Sequence, residues 1–198
     1  MSAILTRVFL SLVVACLLAG RALRVALRRR PGNRQFGPWW TDSTLSSGNA
    51  GLYPRARAAR FFPYALPVSE AVYFVAYTDS AGKPLRRGCT YCIHGRDLET
   101  RWWSIAAYED NCLIPNSHNR YSFSKTTIQR RDDGTWTIRF SPREQSENWL
   151  PNASGAGQLK LVFRCYGPGQ NLNSSDPAGL PTIEAGLCQN MSGSFGRC

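Results

Sequence analysis

Two histidines, His94 and His118, are the side chains of this 198-residue chain that change charge nearest neutral pH. Neither stands in a nucleophile motif or a metalloprotease motif. Glu109-Asp110 and Asp132-Asp133 are adjacent carboxylates in segments of turn composition, where solvated acids are routine. Acid–base chemistry from this inventory would centre on His118 with Glu109 or Asp110, the arrangement of a hydrolase; the leaning is away from an enzyme. Cys89-Thr90-Tyr91-Cys92 has redox spacing, but its neighbours favour strand over the helix N-terminus that lowers a thiol pKa. Covalent haem attachment needs His directly after the second cysteine, and Ile93 stands there. Cys92 and His94 share one strand face and could contribute to a zinc site. No second close Cys/His pair completes it, so neither a metal nor another cofactor is expected.

Cysteine usage points to a compartment. Apart from Cys16, six cysteines remain: Cys89, Cys92, Cys112, Cys165, Cys188 and Cys198. An even number in a domain of this size is compatible with disulfides in an oxidising compartment such as a periplasm, with the pairing open.

The candidate binding residues are aromatic and amide side chains. Trp102 and Trp103 are adjacent on an expected strand, so one ring faces the core and the other faces outward. Asn116, Asn119, Arg120 and Tyr121 follow Pro115 in a turn, and Asn148 and Trp149 lie in a second loop. If the outward tryptophan, Tyr108, Asn119, Arg120 and Trp149 converge, they form an aromatic platform with polar edges. Such platforms hold sugars and other amphipathic ligands. The competing expectation is that these residues fix loops and fill the core. The sequons at Asn152, Asn173 and Asn190 are expected at polar surface.

These residues are positioned by strands. Twelve prolines and seventeen glycines interrupt the chain, and β-branched and aromatic residues fill the runs between them. Strands are expected at Ser69–Thr78, Cys89–His94, Trp102–Tyr108, Thr126–Gln129, Thr135–Phe140 and Leu159–Tyr166. Asp132-Asp133-Gly134 reads as a hairpin turn between the fourth and fifth. Trp136, Ile138 and Phe140 share one face of the fifth, giving a buried side and a wet side. The expected fold is mainly β, an antiparallel β-sandwich of jelly-roll type, with an N-terminal membrane-anchoring helix.

That helix is expected within residues 1–30, around the uncharged run Val8–Leu18. Residues 31–62 read as a stem or wrapping segment, with Trp39-Trp40 inside and a short helix at Tyr53–Phe62; residues 63–198 form the β domain. The net charge of +11 is concentrated at the start. Six arginines and no acid occupy residues 1–30, four arginines against Asp42 occupy 31–60, and 14 basic and 12 acidic residues remain in 61–198. The β domain is nearly neutral, so nucleic acid is not an expected partner, and the basic stem suits anionic headgroups. Val13-Val14-Ala15-Cys16 also matches a lipoprotein cleavage site, an alternative anchor. Five arginines after the apolar run and one before it favour a cytoplasmic β domain by the positive-inside rule, whereas the cysteines favour export. Export is preferred, giving a single-pass inner-membrane protein with its β domain in the periplasm.

Three segments carry a family likeness: Arg101-Trp-Trp-Ser-Ile-Ala-Ala-Tyr-Glu-Asp110, Leu113-Ile-Pro-Asn-Ser-His-Asn-Arg-Tyr-Ser122 and Glu147-Asn-Trp-Leu-Pro151. With the Asp-Asp-Gly turn and Leu161–Pro168, they resemble domain of unknown function 1214, over roughly Ala65 to Gly169. That family also forms the C-terminal β domain of longer proteins carrying domain of unknown function 1254. The resemblance implies a β-sandwich and brings no established reaction. His118 replaces a usual apolar residue, and Asn111-Cys112 replaces a glycine-aromatic pair. The reading is a non-catalytic, membrane-anchored envelope module binding a glycan, lipid or partner protein. An envelope hydrolase and a structural scaffold of an envelope complex are the alternatives.

Overall fold

Alternation of apolar and polar residues dictates the architecture. In the computed structural model, which describes residues 2–28, 33–42, 66–152, 157–173, 177–189 and 195–197, an N-terminal helix is followed by two β-sheets. The helix α1 spans Ser2–Arg28. Strands β1 (Asn33–Phe36), β2 (Trp39–Asp42), β3 (Ala71–Ala76), β4 (Cys89–Arg96), β5 (Thr100–Glu109) and β6 (Cys112–Leu113) come next. They are followed by β7 (Ser122–Ser124), β8 (Thr135–Ser141), β9 (Trp149–Pro151), β10 (Leu159–Pro168), β11 (Thr182–Gln189) and β12 (Phe195–Arg197). The larger sheet has the order β1-β2-β3-β10-β5-β6, with β7 also paired to β5; the smaller has the order β12-β11-β4-β8-β9. Pairing is antiparallel except between β8 and β9, which run parallel. The fold is therefore mainly β with one mixed sheet.

Side chains from both sheets meet in one core. Trp103 of β5 packs on Trp136 of β8 with ring centroids 5.0 Å apart, and Trp39 and Phe74 close on Phe163 of β10. Such aromatic pairs contribute roughly 0.5–1.5 kcal/mol each beyond area burial. Trp136, Ile138 and Phe140 are buried as the alternation of β8 requires. Gly95 lies directly across the β4–β8 ladder from Trp136, and a Cβ at that position would collide with the indole. Only glycine leaves room for the ring there. Trp39 also donates from Nε1 to the Pro181 carbonyl at 2.6 Å, fastening β2 to the segment that enters β11.

Thr126–Gln129 departs from expectation: it is turn and irregular backbone, not a strand. Its amides are occupied elsewhere. The Asn148 side chain accepts from the Gln129 amide at 2.9 Å and donates to the Gln129 carbonyl at 2.8 Å. Residue 129 thus bonds a side chain where a hairpin would have offered a strand. The Asp-Asp-Gly turn persists, with the Arg131 amide on the Thr135 carbonyl and Gly134 at φ 77°. Its second arm pairs with β4 and β9.

The six expected disulfide cysteines also separate. Cys92, Cys112 and Cys165 are free thiols, as is Cys16 on α1. Position explains this: Cys165 points into the core, Cys92 lies on the outer face of β4, and Cys112 is exposed on the short strand β6. Cys89 is not among the free thiols and stands opposite Cys188 in the β4–β11 ladder. Cys198 and the helix expected at Tyr53–Phe62 lie outside the described residues. Asn152 is fully buried rather than at polar surface, donating to the Cys89 carbonyl at 2.7 Å.

The apolar run of the sequence sits on α1, where Val8, Phe9, Leu10, Leu12, Val13, Val14, Leu17 and Leu18 are exposed. At about 100° per residue these side chains cover the whole helix circumference. Among the described residues no helix is long and apolar enough to cross a membrane.

Candidate functional site

Register decides which side chains reach the outer face of the larger sheet. The β10–β5 ladder pairs Tyr166 with Trp102, Arg164 with Ser104, Val162 with Ala106 and Lys160 with Tyr108. Antiparallel partners share a face, so these eight side chains stand together opposite the core. On the far side of β5, Ser124 pairs with Ser104 and Ser122 with Ala106. The result is a groove of about 400 Å³ with a floor of small residues, Ser104, Ala106 and Ser124. Trp102 and Tyr166 wall one end, their rings 5.4 Å apart. Tyr108, Tyr121 and Leu113 wall the other. The open floor follows from serine and alanine where larger side chains would fill the space.

Polar groups line this groove in an ordered way. Arg164, half-buried at its centre, donates to the Tyr108 hydroxyl at 2.6 Å, with its guanidinium carbon 5.5 Å from that ring's centroid. Arg120 stacks over Phe123 at 5.0 Å and reaches the rim. Burial, with smaller effects from Tyr73 and Tyr108, raises the Tyr166 phenol above its ordinary value despite the pull of Arg164. Its hydroxyl therefore remains protonated and able to donate at neutral pH. Burial likewise lowers Lys160, against the attraction of Asp110.

A second hollow, of about 300 Å³, lies between the 114–129 and 141–149 loops. His118 meets the Trp149 ring edge-on at 4.9 Å, and its Nε2 lies 4.0 Å from Glu144. Trp149 is held by its Nε1 donating to the Ser141 carbonyl at 3.1 Å. Arg120 lines both hollows.

The nine candidate residues divide accordingly. Trp102, Tyr108, Arg120 and Tyr121 are brought together at the groove. Trp149 and Asn148 belong to the second hollow, Asn148 as a buried structural group. Trp103 belongs to no platform: it is fully buried, because its partner Cys165 also points inward, and its Nε1 donates to Asp97 at 3.0 Å. Asn116 shapes its loop, accepting from the amides of His118 and Arg120 and donating to the carbonyls of Ile114 and Arg120. Asn119 takes a left-handed backbone, φ 52°, and accepts from the Tyr121 hydroxyl at 3.3 Å. Ser104, Ser124, Arg164 and Tyr166 were missing from the sequence reading. Period-two alternation from Trp102 along β5 reaches Ser104, but Arg164 and Tyr166 enter only through the β10 register.

The hydrolase pairing is not assembled. Glu109 accepts from the Gly157 amide at 2.7 Å and Asp110 from the Gln158 amide at 3.0 Å, so both carboxylates tie down backbone, and the acid beside His118 is Glu144. Cys92 and His94 do share the outer face of β4. His94 meets Thr137 at 3.0 Å and Glu184 at 3.7 Å, and Cys92 meets Arg139 at 3.9 Å. Among the described residues no three His, Cys, Asp or Glu side chains are grouped to hold a metal ion.

A two-sheet β domain with an aromatic groove on one outer face is thus the class of protein at hand. The chain belongs to the family described as protein of unknown function (DUF1214), whose pattern matches residues 70–170. It is similar to the crystal structure of the VPA0106 protein from Vibrio parahaemolyticus, with 25% identity and a TM-score of 0.57. That match covers 70% of this chain and 36% of the other, so the chain spans about a third of the Vibrio protein's length. A putative uncharacterised protein from Burkholderia cenocepacia matches at 15% identity and a TM-score of 0.43, over 84% of this chain and 39% of that one. No curated protein matches the chain.

Proposed function

We propose that this protein is a membrane-held envelope module that binds a small amphipathic ligand, a sugar ring in the first instance, in the groove of the larger sheet. The observation that carries the reading is the groove's construction: tryptophan and tyrosine walls, a serine–alanine floor, and hydroxyl and guanidinium donors at its edge. Sugars present an apolar ring face beside a hydroxyl edge, and such a surface complements both. The body is read as a variant of the jelly-roll type, because β3, β4 and β5, and again β9, β10 and β11, alternate between the two sheets.

The anchoring part of the proposal rests on α1. Its 27 residues extend roughly 40 Å, and an apolar surface covering every side is costly in water. We place the helix at the inner membrane as the chain's anchor, held by this apolar surface, and the β domain in the periplasm. The bonded state of Cys89 supports export, because disulfides persist in oxidising compartments.

The test is ligand titration of the full chain in detergent micelles, read by tryptophan fluorescence against a panel of envelope-derived saccharides. Binding that disappears in Trp102→Ala and persists in Trp149→Ala supports the groove. Binding unaffected by Trp102→Ala, or confined to the second hollow, sinks the reading.

A further inference from the structure

Charge around the groove is one-sided. Among the described residues its lining includes two arginines, Arg120 and Arg164, and no carboxylate. Arg164 is the telling one. It is half-buried in the middle of a sheet, and the partners the structure gives it are the neutral Tyr108 hydroxyl and the face of that ring. Guanidinium groups removed from water ordinarily recover the loss through a carboxylate or phosphate. Elsewhere this chain does that: Arg130 meets both oxygens of Asp97, at 2.9 and 3.0 Å. Arg164 carries five donors, and one hydroxyl leaves most of its fork toward the groove.

Arg120 approaches from the facing loop. Asn116 fixes its backbone through the amide and the carbonyl, and Phe123 supports its guanidinium from below. The two cations are thus supplied by independent elements, β10 and the 114–121 loop, and border one hollow. Beside them Trp102 and Tyr166 offer ring faces and Ser104 offers a hydroxyl.

We infer that the groove takes a carboxylated sugar, with the pyranose ring against Trp102 and Tyr166 and the carboxylate between Arg164 and Arg120. This deepens the function proposed above and rests on it. The same anion chemistry is available from inorganic phosphate, but a bare anion makes no use of the aromatic wall.

The experiment compares a galacturonic-acid trisaccharide with the neutral galactose trisaccharide of the same linkage, titrated calorimetrically into the full chain in detergent at low salt. The acidic sugar is expected to bind about tenfold or more tighter than the neutral one, the margin of a charge-assisted bidentate contact. Arg164→Gln should abolish that margin while retaining weak binding of both sugars, and Arg164→Lys should keep part of it. If Arg164→Gln fails to fold, judged by its near-ultraviolet spectrum, Arg120→Gln at the exposed rim gives the same reading. Equal binding of the two sugars, with both lost in Trp102→Ala, overturns the carboxylate assignment and leaves the groove standing. Displacement of the acidic sugar by an equal concentration of inorganic phosphate also overturns it, by making the arginines a bare anion site. Binding of neither sugar by the native chain overturns this inference and the groove reading together.

Discussion

Asn148 holds Gln129 as a β-strand would: its Oδ1 accepts from the Gln129 amide at 2.9 Å and its Nδ2 donates to the Gln129 carbonyl at 2.8 Å. The same Nδ2 reaches the Thr137 carbonyl at 3.1 Å. One amide group therefore joins the irregular 125–131 segment to β8, from a residue that is itself buried and left-handed, at φ 39°.

Asn148→Ala leaves those three backbone groups without their partner. A loss of about 2–4 kcal/mol follows from unsatisfied buried groups, read as a lowered urea midpoint by tryptophan fluorescence. Asn148→Asp keeps the acceptor and loses both donations, so it should also destabilise. A midpoint unchanged in both variants would mean that water replaces the amide.

Gly95→Ala should cost about 1–3 kcal/mol, because a Cβ collides with the Trp136 ring on the neighbouring strand. The penalty should shrink when Trp136→Phe is present, since the smaller ring vacates that space. Additive effects in the double mutant would show that the clash is relieved elsewhere.

The thiols should react in a graded order. Cys112 is exposed, Cys92 is half-buried, and Cys165 is buried in the core, where desolvation pushes its thiol far above the ordinary value. Among these three, alkylation under native conditions followed by peptide mass spectrometry should modify Cys112 first and Cys92 next. Cys165 should react only after denaturation. Early modification of Cys165 would contradict its placement.

Asp133 closes its turn by accepting from the Thr135 hydroxyl at 2.7 Å and the Thr135 amide at 2.9 Å. Those bonds, the hydroxyl first, hold its carboxyl below the ordinary value of 3.8. A depressed carboxyl stabilises the folded chain fully above the unfolded value, and that contribution is lost as pH falls through the lower folded value. Carboxyl NMR titration should find Asp133 below 3.8 and moving up in Thr135→Val. No movement would assign the shift to the neighbouring arginines.

Legibility in the sequence followed the range of the interaction. The inward face of β8 was readable because alternation is local, and the opposed directions of Trp102 and Trp103 were readable for the same reason. Which of the two turned inward was not readable, because it depends on pairing with Tyr166 and Cys165, more than sixty residues away. The groove floor escaped for a related reason: Ser104 and Ala106 look unremarkable until β10 and β7 flank them. Thr126–Gln129 read as a strand on composition alone, and a side chain nineteen residues on claimed its backbone. Strands β1, β2, β11 and β12 carry weak alternation and are held by the edges they join.

The larger sheet has its central strand late in the chain. β10 lies between β3 and β5, and each ladder that joins those two runs through it. During synthesis α1 is complete about 130 residues before β10 begins, a delay of roughly 7–26 s at about 5–20 residues per second. For about the last 50 residues of that interval β3 and β5 both exist without the strand that unites them. The nascent chain therefore displays its apolar helix while the domain behind it still cannot close.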